Sequence, residues 1–346
     1  MGAPEWVSRE LLQNALREFF SNKDIQILGY TSSAAVPAGD NYTSDLFRTS
    51  ITYRTGQNGN RDAISVIIKC SPEAREQMRQ LVAEIRMFEI EAEMYMKTLP
   101  ALQKIIGDTC SLSAKFIYFT KVPYRIIMFE DLAPLGFRMY DRQQGFDLEH
   151  CLMVIDKMAC QHAASVVLHE KDPVLIADYK VGLYSSNSMI AGWVMTGWDA
   201  LTQATAKWPG YEKYSCKLKV LREKVITKTV ATLERKLGAF HVLNHGDAWV
   251  NNFLFSYTPK GKLKDFRFVD YQMVVYSSPA IDLHYFWATS PKMEVRKEHL
   301  DTILDRYYAQ LLHNLSRFQY SLERVPTRSQ FLKDFESKAF YGKQSY

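Results

Sequence analysis

Apolar positions along the chain switch from helical spacing to alternation and back, and those switches divide it into elements. Residues 10–20 repeat at helical spacing and predict an N-terminal helix. A β-rich stretch follows. Residues 46–54 read as a strand, Gln57-Asn58-Gly59-Asn60 as a turn cluster, and 63–69 as a β-branched strand ending on Lys69. Residues 73–99 are rich in Glu, Met, Leu, Ala and Arg and contain no Gly or Pro until Pro100, so they predict one long helix. Strands at 115–120 and 125–130 close this segment.

The remainder is mainly helical. Asp147 caps a helix running to about residue 170, and another is expected over 212–237. Short strands are expected at 242–245, 252–255 and 266–270, with the turn Pro259-Lys260-Gly261 between the last two. Ser278-Pro279 opens a helix with proline at its first position, and helices follow over 292–318 and 328–340. Aromatic residues between Tyr179 and Tyr214, among them Tyr184, Trp193, Trp198, Trp208 and Tyr211, are expected in the core, and their density suits an apolar acceptor pocket. The order of elements implies an α+β chain: a small β-rich lobe over 1–130 and a larger, mainly helical lobe over 131–346.

Composition narrows the partners. At 346 residues the chain is too long for one core and suits two lobes, and 47% hydrophobic with 23% charged residues is ordinary for a globular protein. A net charge of +5 without any Lys/Arg run argues against a nucleic-acid partner and fits anionic phosphate ligands. Cys70, Cys110, Cys151, Cys160 and Cys216 are scattered without a C-x-x-C pair, as expected of free thiols in a reducing compartment and not of a zinc site. No signal peptide is evident at the N-terminus, and Trp6 stands where a myristoylation site wants Ser or Thr. No apolar run of about 18 residues is read as a membrane span. A cytoplasmic protein with no membrane or protein partner is the expectation.

The chemistry concentrates in His245-Gly246-Asp247-Ala248-Trp249-Val250-Asn251-Asn252 and in Val269-Asp270-Tyr271-Gln272. A loop Asp, an Asn five residues on and a second Asp after an apolar run match a phosphotransferase site: a carboxylate beside the acceptor hydroxyl and two oxygen ligands for Mg²⁺ on ATP. Asp247 takes the first role, and Asn252 and Asp270 the second, although Asn251 beside Asn252 offers the same group. The blander readings are a turn Asp bonded to local backbone and a strand-end Asp capping a turn. Lys69 would neutralise the α- and β-phosphates; a solvated strand-end lysine is the alternative. Of Glu84, Glu89, Glu91 and Glu93, Glu91 shares a helix face with Met87 and Tyr95 and is the expected partner of Lys69, with Glu84 second and the rest as solvated surface. Gly39, Asn41 and Ser44, in Gly39-Asp40-Asn41-Tyr42-Thr43-Ser44, form a candidate phosphate-covering loop or a plain turn. Asp282 either braces the catalytic loop or favours a helix N-terminus, and His162 is expected as a packed core histidine.

Together Gly39-Asp40-Asn41-Tyr42-x-Ser44, the Lys69 strand, Phe88-x-x-Glu91-x-x-x-Tyr95, Glu130-Asp131-Leu132, His162-Ala163-Ala164-Ser165 and the two motifs above resemble the ecdysteroid kinase-like family, relatives of choline kinases and aminoglycoside phosphotransferases. The resemblance spans about residues 39–282 and implies a two-lobed protein-kinase-like fold and MgATP-dependent phosphorylation of a small-molecule alcohol, an ecdysteroid or another steroid or xenobiotic. It makes Asp247 the catalytic base, Asn252 and Asp270 the metal ligands and Lys69 with Glu91 the phosphate-binding pair. Glu130 and Leu132 then fall at a hinge whose backbone meets adenine. His245-Gly246-Asp247 lacks an Arg before the Asp, Asp270-Tyr271-Gln272 lacks a glycine, and no Ala-Pro-Glu follows, so a protein substrate is not expected. A choline- or ethanolamine-type kinase and a catalytically silent binding protein in the same fold are the alternatives.

Overall fold

The computed structural model describes residues 4–36, 43–56, 59–72, 75–180, 182, 184 and 188–342. In chain order the strands are β1 (Ile25–Ala34), β2 (Asp45–Thr55), β3 (Arg61–Cys70), β4 (Phe116–Thr120), β5 (Ile126–Glu130), β6 (Arg138–Met139), β7 (Val242–Asn244), β8 (Phe253–Tyr257), β9 (Leu263–Phe268) and β10 (Val275–Ser277). The helices are α1 (Arg9–Phe19), α2 (Glu76–Glu84), α3 (Met87–Glu93), α4 (Leu99–Ile106), α5 (Leu148–Lys171), α6 (Val174–Ala177), α7 (Ser188–Lys207), α8 (Glu212–Leu221) and α9 (Val225–Thr232). After β10 come α10 (Ala280–Thr289), α11 (Met293–Glu298), α12 (Leu300–Arg317), α13 (Arg328–Ser337) and α14 (Ala339–Gly342). The class is α+β. Two compact units form, each discontinuous in sequence: 1–100 with 111–139 and 253–272, and 101–110 with 140–252 and 273–346. Against a single division after residue 130, segment 101–110 falls in the second unit and segments 131–139 and 253–272 in the first.

The first unit is built on an antiparallel sheet of order β1-β2-β3-β5-β4. Its core lies under α1, where Leu12, Ala15 and Leu16 meet Ile25, Ile51, Val66, Ile68, Ile126 and Met128. Ser8 caps α1 by accepting the Leu11 N–H, so the helix starts and ends one residue before the expected 10–20. β6, β8 and β9 form a second sheet, filled by the buried side chains Phe253, Phe255, Phe266 and Phe268.

The single helix expected over 73–99 is replaced by two helices and a wide turn. Arg86 adopts a left-handed backbone, φ 57°, and ends α2 after the Ile85 and Arg86 amides have bonded back to Leu81 and Ala83. Nothing in the sequence announces this, because glycine or asparagine usually occupies such a position. Nor does Pro100 end the helical run. Residues Met94–Thr98 form a π turn in which the Leu99 N–H reaches the Met94 carbonyl, and α4 continues to Ile106. The wider turn accommodates a proline that has no N–H to donate.

In the second unit α5 is the central helix, capped by Asp147 as expected and packed against α12 and β7. By length and hydropathy α5 is also capable of spanning a membrane, which the sequence reading did not anticipate; 83% of its most apolar window is buried inside the protein. β7 pairs antiparallel with β10, Asn244 opposite Val275. The helix expected over 212–237 is broken after Leu221 into α8, a short turn and α9.

α7 itself was not expected, because Gly192, Gly197 and several threonines lower its propensity. The threonines are accommodated by bonding back one turn, Thr196 to Gly192, Thr202 to Trp198 and Thr205 to Leu201, at 2.8–2.9 Å. The aromatic residues around α7 are only partly core. Tyr179, Tyr184 and Trp198 are buried as expected, but Trp193, Trp208, Tyr211 and Tyr214 are exposed. All five cysteines are free thiols.

Candidate active site

The first cluster of polar side chains lies in the first unit. Alternation along β3 sends Val66, Ile68 and Cys70 into the core under α1, which leaves Lys69 on the opposite face of the sheet. Lys69 is nevertheless 4% exposed, since the buried face of α3, with Met87, Phe88, Glu91 and Ala92, supplies its partner. The Lys69 Nζ donates to Glu91 Oε2 at 2.6 Å and to Asp270 Oδ1 at 2.6 Å, and it lies 5.9 Å from the centre of the Phe88 ring. Burial alone would depress the ammonium pKa, but the Asp270 and Glu91 carboxylates outweigh it and hold Lys69 above its ordinary value. Burial likewise raises the Glu91 carboxyl to about 7, against the pull of Lys69 and with the Asp270 charge adding to the rise.

Asp270 is aimed at Lys69 by its surroundings. Phe268 is fully buried and its N–H bonds to Leu112 O, while Tyr271 is fully buried with its ring 5.8 Å from that of Tyr95. The residues between must turn sharply, and Asp270 takes φ 69°, a region non-glycine residues enter only when their neighbours hold them there. Gln272 completes the cluster. Its Oε1 lies 3.4 Å from Lys69 Nζ, and its Nε2 donates to Thr43 Oγ1 at 3.1 Å and to Asp270 Oδ2 at 3.3 Å. Sequence reasoning noted Gln272 only as a missing glycine; its link to Thr43 has no signal in spacing.

Other expectations fare differently. Gly39 and Asn41 lie outside the described residues. Ser44 is buried, and its carbonyl accepts from Arg75 Nη2 at 3.1 Å. Glu84 is exposed on α2 and is not the partner of Lys69. Glu89, assigned to solvated surface, is largely buried and accepts from Arg125 Nε at 2.8 Å. At the end of β5 the Glu130 N–H donates to Lys115 O, and the Leu132 carbonyl accepts from Leu135 and Phe137. Those bonds belong to the fold. Between them Asp131, quoted in the sequence motif but given no role there, accepts from Arg48 Nε at 2.8 Å, Ser65 Oγ at 2.7 Å and the Ala133 N–H at 3.1 Å, which pins the chain as it leaves the sheet.

The second cluster lies in the second unit, on the loop after β7. Asn252 Nδ2 donates to Asp247 Oδ2 at 2.9 Å and to the Asp247 carbonyl at 2.8 Å, so Asn252, five residues on, is the asparagine tied to Asp247. Asp282 resolves to the brace: Oδ2 accepts the His245 N–H at 2.6 Å and Oδ1 the Gly246 N–H at 2.8 Å. His162 is the packed core histidine expected, with Nε2 3.1 Å from Asp282 Oδ2 and Nδ1 2.7 Å from Tyr307 Oη.

Gly246 has φ +80°, and a Cβ there would lie 1.8 Å from the Met273 carbonyl oxygen. Gly246→Ala therefore combines a backbone clash with strain of about 1–3 kcal/mol. The expected result is a loss of at least about 2 kcal/mol by urea denaturation, together with loss of activity; an unchanged denaturation midpoint would contradict this close approach.

Among the described residues no three His, Cys, Asp or Glu side chains group into a metal centre. The individual donors nonetheless suit a hard cation. Asp270 presents a carboxylate that is 26% exposed, and Asn252 an amide oxygen, its NH₂ being turned to Asp247.

No curated protein matches the chain significantly. Solved structures that resemble it include aminoglycoside phosphotransferase APH(2'')-Ib with ADP, at 11% identity and TM-score 0.40, covering 98% of this chain and 99% of that one. A thermostable mutant of aminoglycoside phosphotransferase APH(4)-Ia with ADP and hygromycin B matches at 9% identity and TM-score 0.38, covering 97% and 96%. An aminoglycoside phosphotransferase from Alicyclobacillus acidocaldarius matches at 13% identity and TM-score 0.32, covering 90% and 92%. The profile of the ecdysteroid kinase-like family matches residues 38–320, most of the chain, and the protein belongs to that family.

Proposed function

We infer that the protein is an ATP-dependent small-molecule kinase that phosphorylates an alcohol, with an ecdysteroid or another steroid or xenobiotic alcohol as the acceptor class. The observation that carries this reading is the buried Lys69 ammonium held by Glu91 and Asp270 at 2.6 Å each, the lysine–glutamate pair that positions phosphates in kinases. Membership of the ecdysteroid kinase-like family supports the acceptor class.

In this reading Lys69 would face the α- and β-phosphates, and Asp270 and Asn252 would each offer an oxygen to Mg²⁺, which would neutralise charge on the phosphates. Asp247 accepts a hydrogen bond from the acceptor hydroxyl. As the alcohol oxygen bonds to the γ-phosphorus and ADP leaves, the hydroxyl proton passes to the Asp247 carboxylate. Gln272 and Asp282 keep the carboxylates and the loop in place through the contacts described above.

The test is ATP consumption by purified protein with Mg²⁺ against a panel of ecdysteroids, choline, ethanolamine, plant phenols and glycosides, with product mass read alongside. One added phosphate on a panel member, absent with Asp247→Ala, is the expected outcome. Nucleotide binding without any product would instead favour a binding protein.

The pH dependence has a definite sign. As pH falls through about 7 Glu91 takes up a proton and stops being an anion beside Lys69, so kcat/KM for ATP is expected to fall on the acid side. Glu91→Gln should be less active than the wild type at pH 8 and should lose this acid limb. A wild-type profile that stays flat from pH 6 to 8 would count against the pairing being functional.

A further inference from the structure

α7 and α8 form a hairpin whose tip is not buried. The Trp198 Nε1–H donates to Leu218 O at 3.0 Å and the Ser215 hydroxyl to Thr202 O at 2.9 Å, so the two helices are fastened along their facing sides. At the turn between them the Tyr211 N–H bonds Trp208 O at 3.0 Å, and the Tyr214 N–H bonds Tyr211 O at 2.8 Å. These steps of three residues bring the rings together: Trp208 and Tyr211 meet edge-on at 5.9 Å, and Tyr211 and Tyr214 follow at 5.6 Å. The three are nevertheless 49%, 51% and 44% exposed. Single exposed aromatics are ordinary, but three in mutual contact at the end of a fastened hairpin make a patch.

Charge singles out the same segment. From Lys207 to Lys228 the chain carries seven Lys or Arg and two Glu, which leaves 36 of the 43 cations against 36 of the 38 anions elsewhere. The whole net charge of +5 therefore sits in this one segment. Arg222 is paired with Asp199 at 2.6 Å, and Glu212 accepts the Gly210 N–H at 3.3 Å. Lys207, Lys213 and Lys217 are exposed and enter no ion pair among the described residues. The Lys213 Nζ lies 5.2 Å from the centre of the Tyr214 ring, and Lys217 stands one turn further along α8 on the side of Tyr214.

We propose that the tip of the α7–α8 hairpin is a docking surface for an anionic lipid bilayer, against the expectation of no membrane partner. Trp208, Tyr211 and Tyr214 enter the headgroup layer, where rings with one polar edge are at home, and Lys207, Lys213 and Lys217 meet the anionic headgroups around them. A nucleic acid would also attract the lysines. α8, however, contains no Arg, the residue that grips phosphates bidentately, and it exposes the aliphatic Val220. The proposal is independent of the kinase reading, although a lipophilic alcohol acceptor partitions into the same surface.

The test sediments the full chain with vesicles of phosphatidylcholine alone or enriched in phosphatidylserine, at low and physiological salt. It compares the wild type with Lys213→Ala/Lys217→Ala, Trp208→Ala/Tyr211→Ala and Trp193→Ala, the last an exposed tryptophan near the start of α7. The wild type is expected to bind the phosphatidylserine vesicles alone, and less tightly as salt rises. The lysine variant should bind about 25-fold more weakly, each lysine at an anionic surface being worth about fivefold. The aromatic variant should lose at least about tenfold, and Trp193→Ala should match the wild type. Since the substituted side chains are exposed, denaturation midpoints should stay near that of the wild type. A wild type that stays in the supernatant with phosphatidylserine vesicles, or equal binding by all four proteins, overturns the proposal. So does lipid-free self-association lost in Trp208→Ala/Tyr211→Ala, which makes the tip a contact between copies of the chain. Binding of a single-stranded RNA oligonucleotide in place of vesicles, lost in the lysine variant, overturns it as well.

Discussion

Asp247→Ala is expected to lower phosphoryl transfer by about 10³-fold while leaving the KM for ATP within about threefold, since general-base contributions run to about 10²–10⁴-fold. The asymmetry follows from the side chains. Asp247 bonds Asn252, whereas the cation proposed to meet the phosphates is held by Glu91 and Asp270. Asp270→Ala should behave differently, because it removes both a partner of Lys69 and a proposed Mg²⁺ ligand, so MgATP binding and turnover fall together. Isothermal titration with a non-hydrolysable ATP analogue, alongside single-turnover rates, separates the two cases. Equal residual turnover and equal nucleotide affinity in both variants would sink the role assignments.

The second large effect is on stability. Asp282 is fully buried and accepts the amides of His245 and Gly246 while facing His162. Asp282→Ala leaves two loop N–H groups and a histidine nitrogen without that acceptor in a site that water does not readily reach. Each unsatisfied buried donor costs about 1–3 kcal/mol, so the variant is expected to lose about 3–5 kcal/mol. That is a large share of the roughly 5–15 kcal/mol by which domains are stable. Asp282→Asn keeps the volume but presents an NH₂ group to one of the donors, so an intermediate loss is expected. Urea denaturation followed by fluorescence measures both, and a wild-type midpoint in Asp282→Ala would remove the brace from the account.

The sequence made most of this legible where chemistry and periodicity coincided. Lys69 closes a β-branched run, and the faces of the following helix single out Glu91, which the structure places 2.6 Å from it. Asp247 and Asn252 fall together because five residues of loop and one 3-10 turn bring Nδ2 back to the carboxylate. What escaped was set by tertiary packing. Arg86 breaks a helix without glycine or proline, and α7 forms through a glycine- and threonine-rich segment whose hydroxyls bond its own carbonyls. The exposed Trp193, Trp208, Tyr211 and Tyr214 mislead because aromatic character indicates burial only on average. Gln272 and Asp131 act through partners remote in sequence, and no spacing rule points to them.

The left-handed Arg86 has a consequence for where this chain can change in length. In an unbroken helix every inserted residue rotates all that follows by about 100° relative to what precedes it. Because the helical screw restarts at Met87, the phase of Glu91 is set by the short segment after Arg86 and not by α2. An indel in α2 therefore leaves the phase of Glu91 untouched, whereas a single residue added between Met87 and Glu91 turns the carboxylate about a quarter of a circle off Lys69. The kink thus acts as a phase reset, and length drift belongs on its N-terminal side.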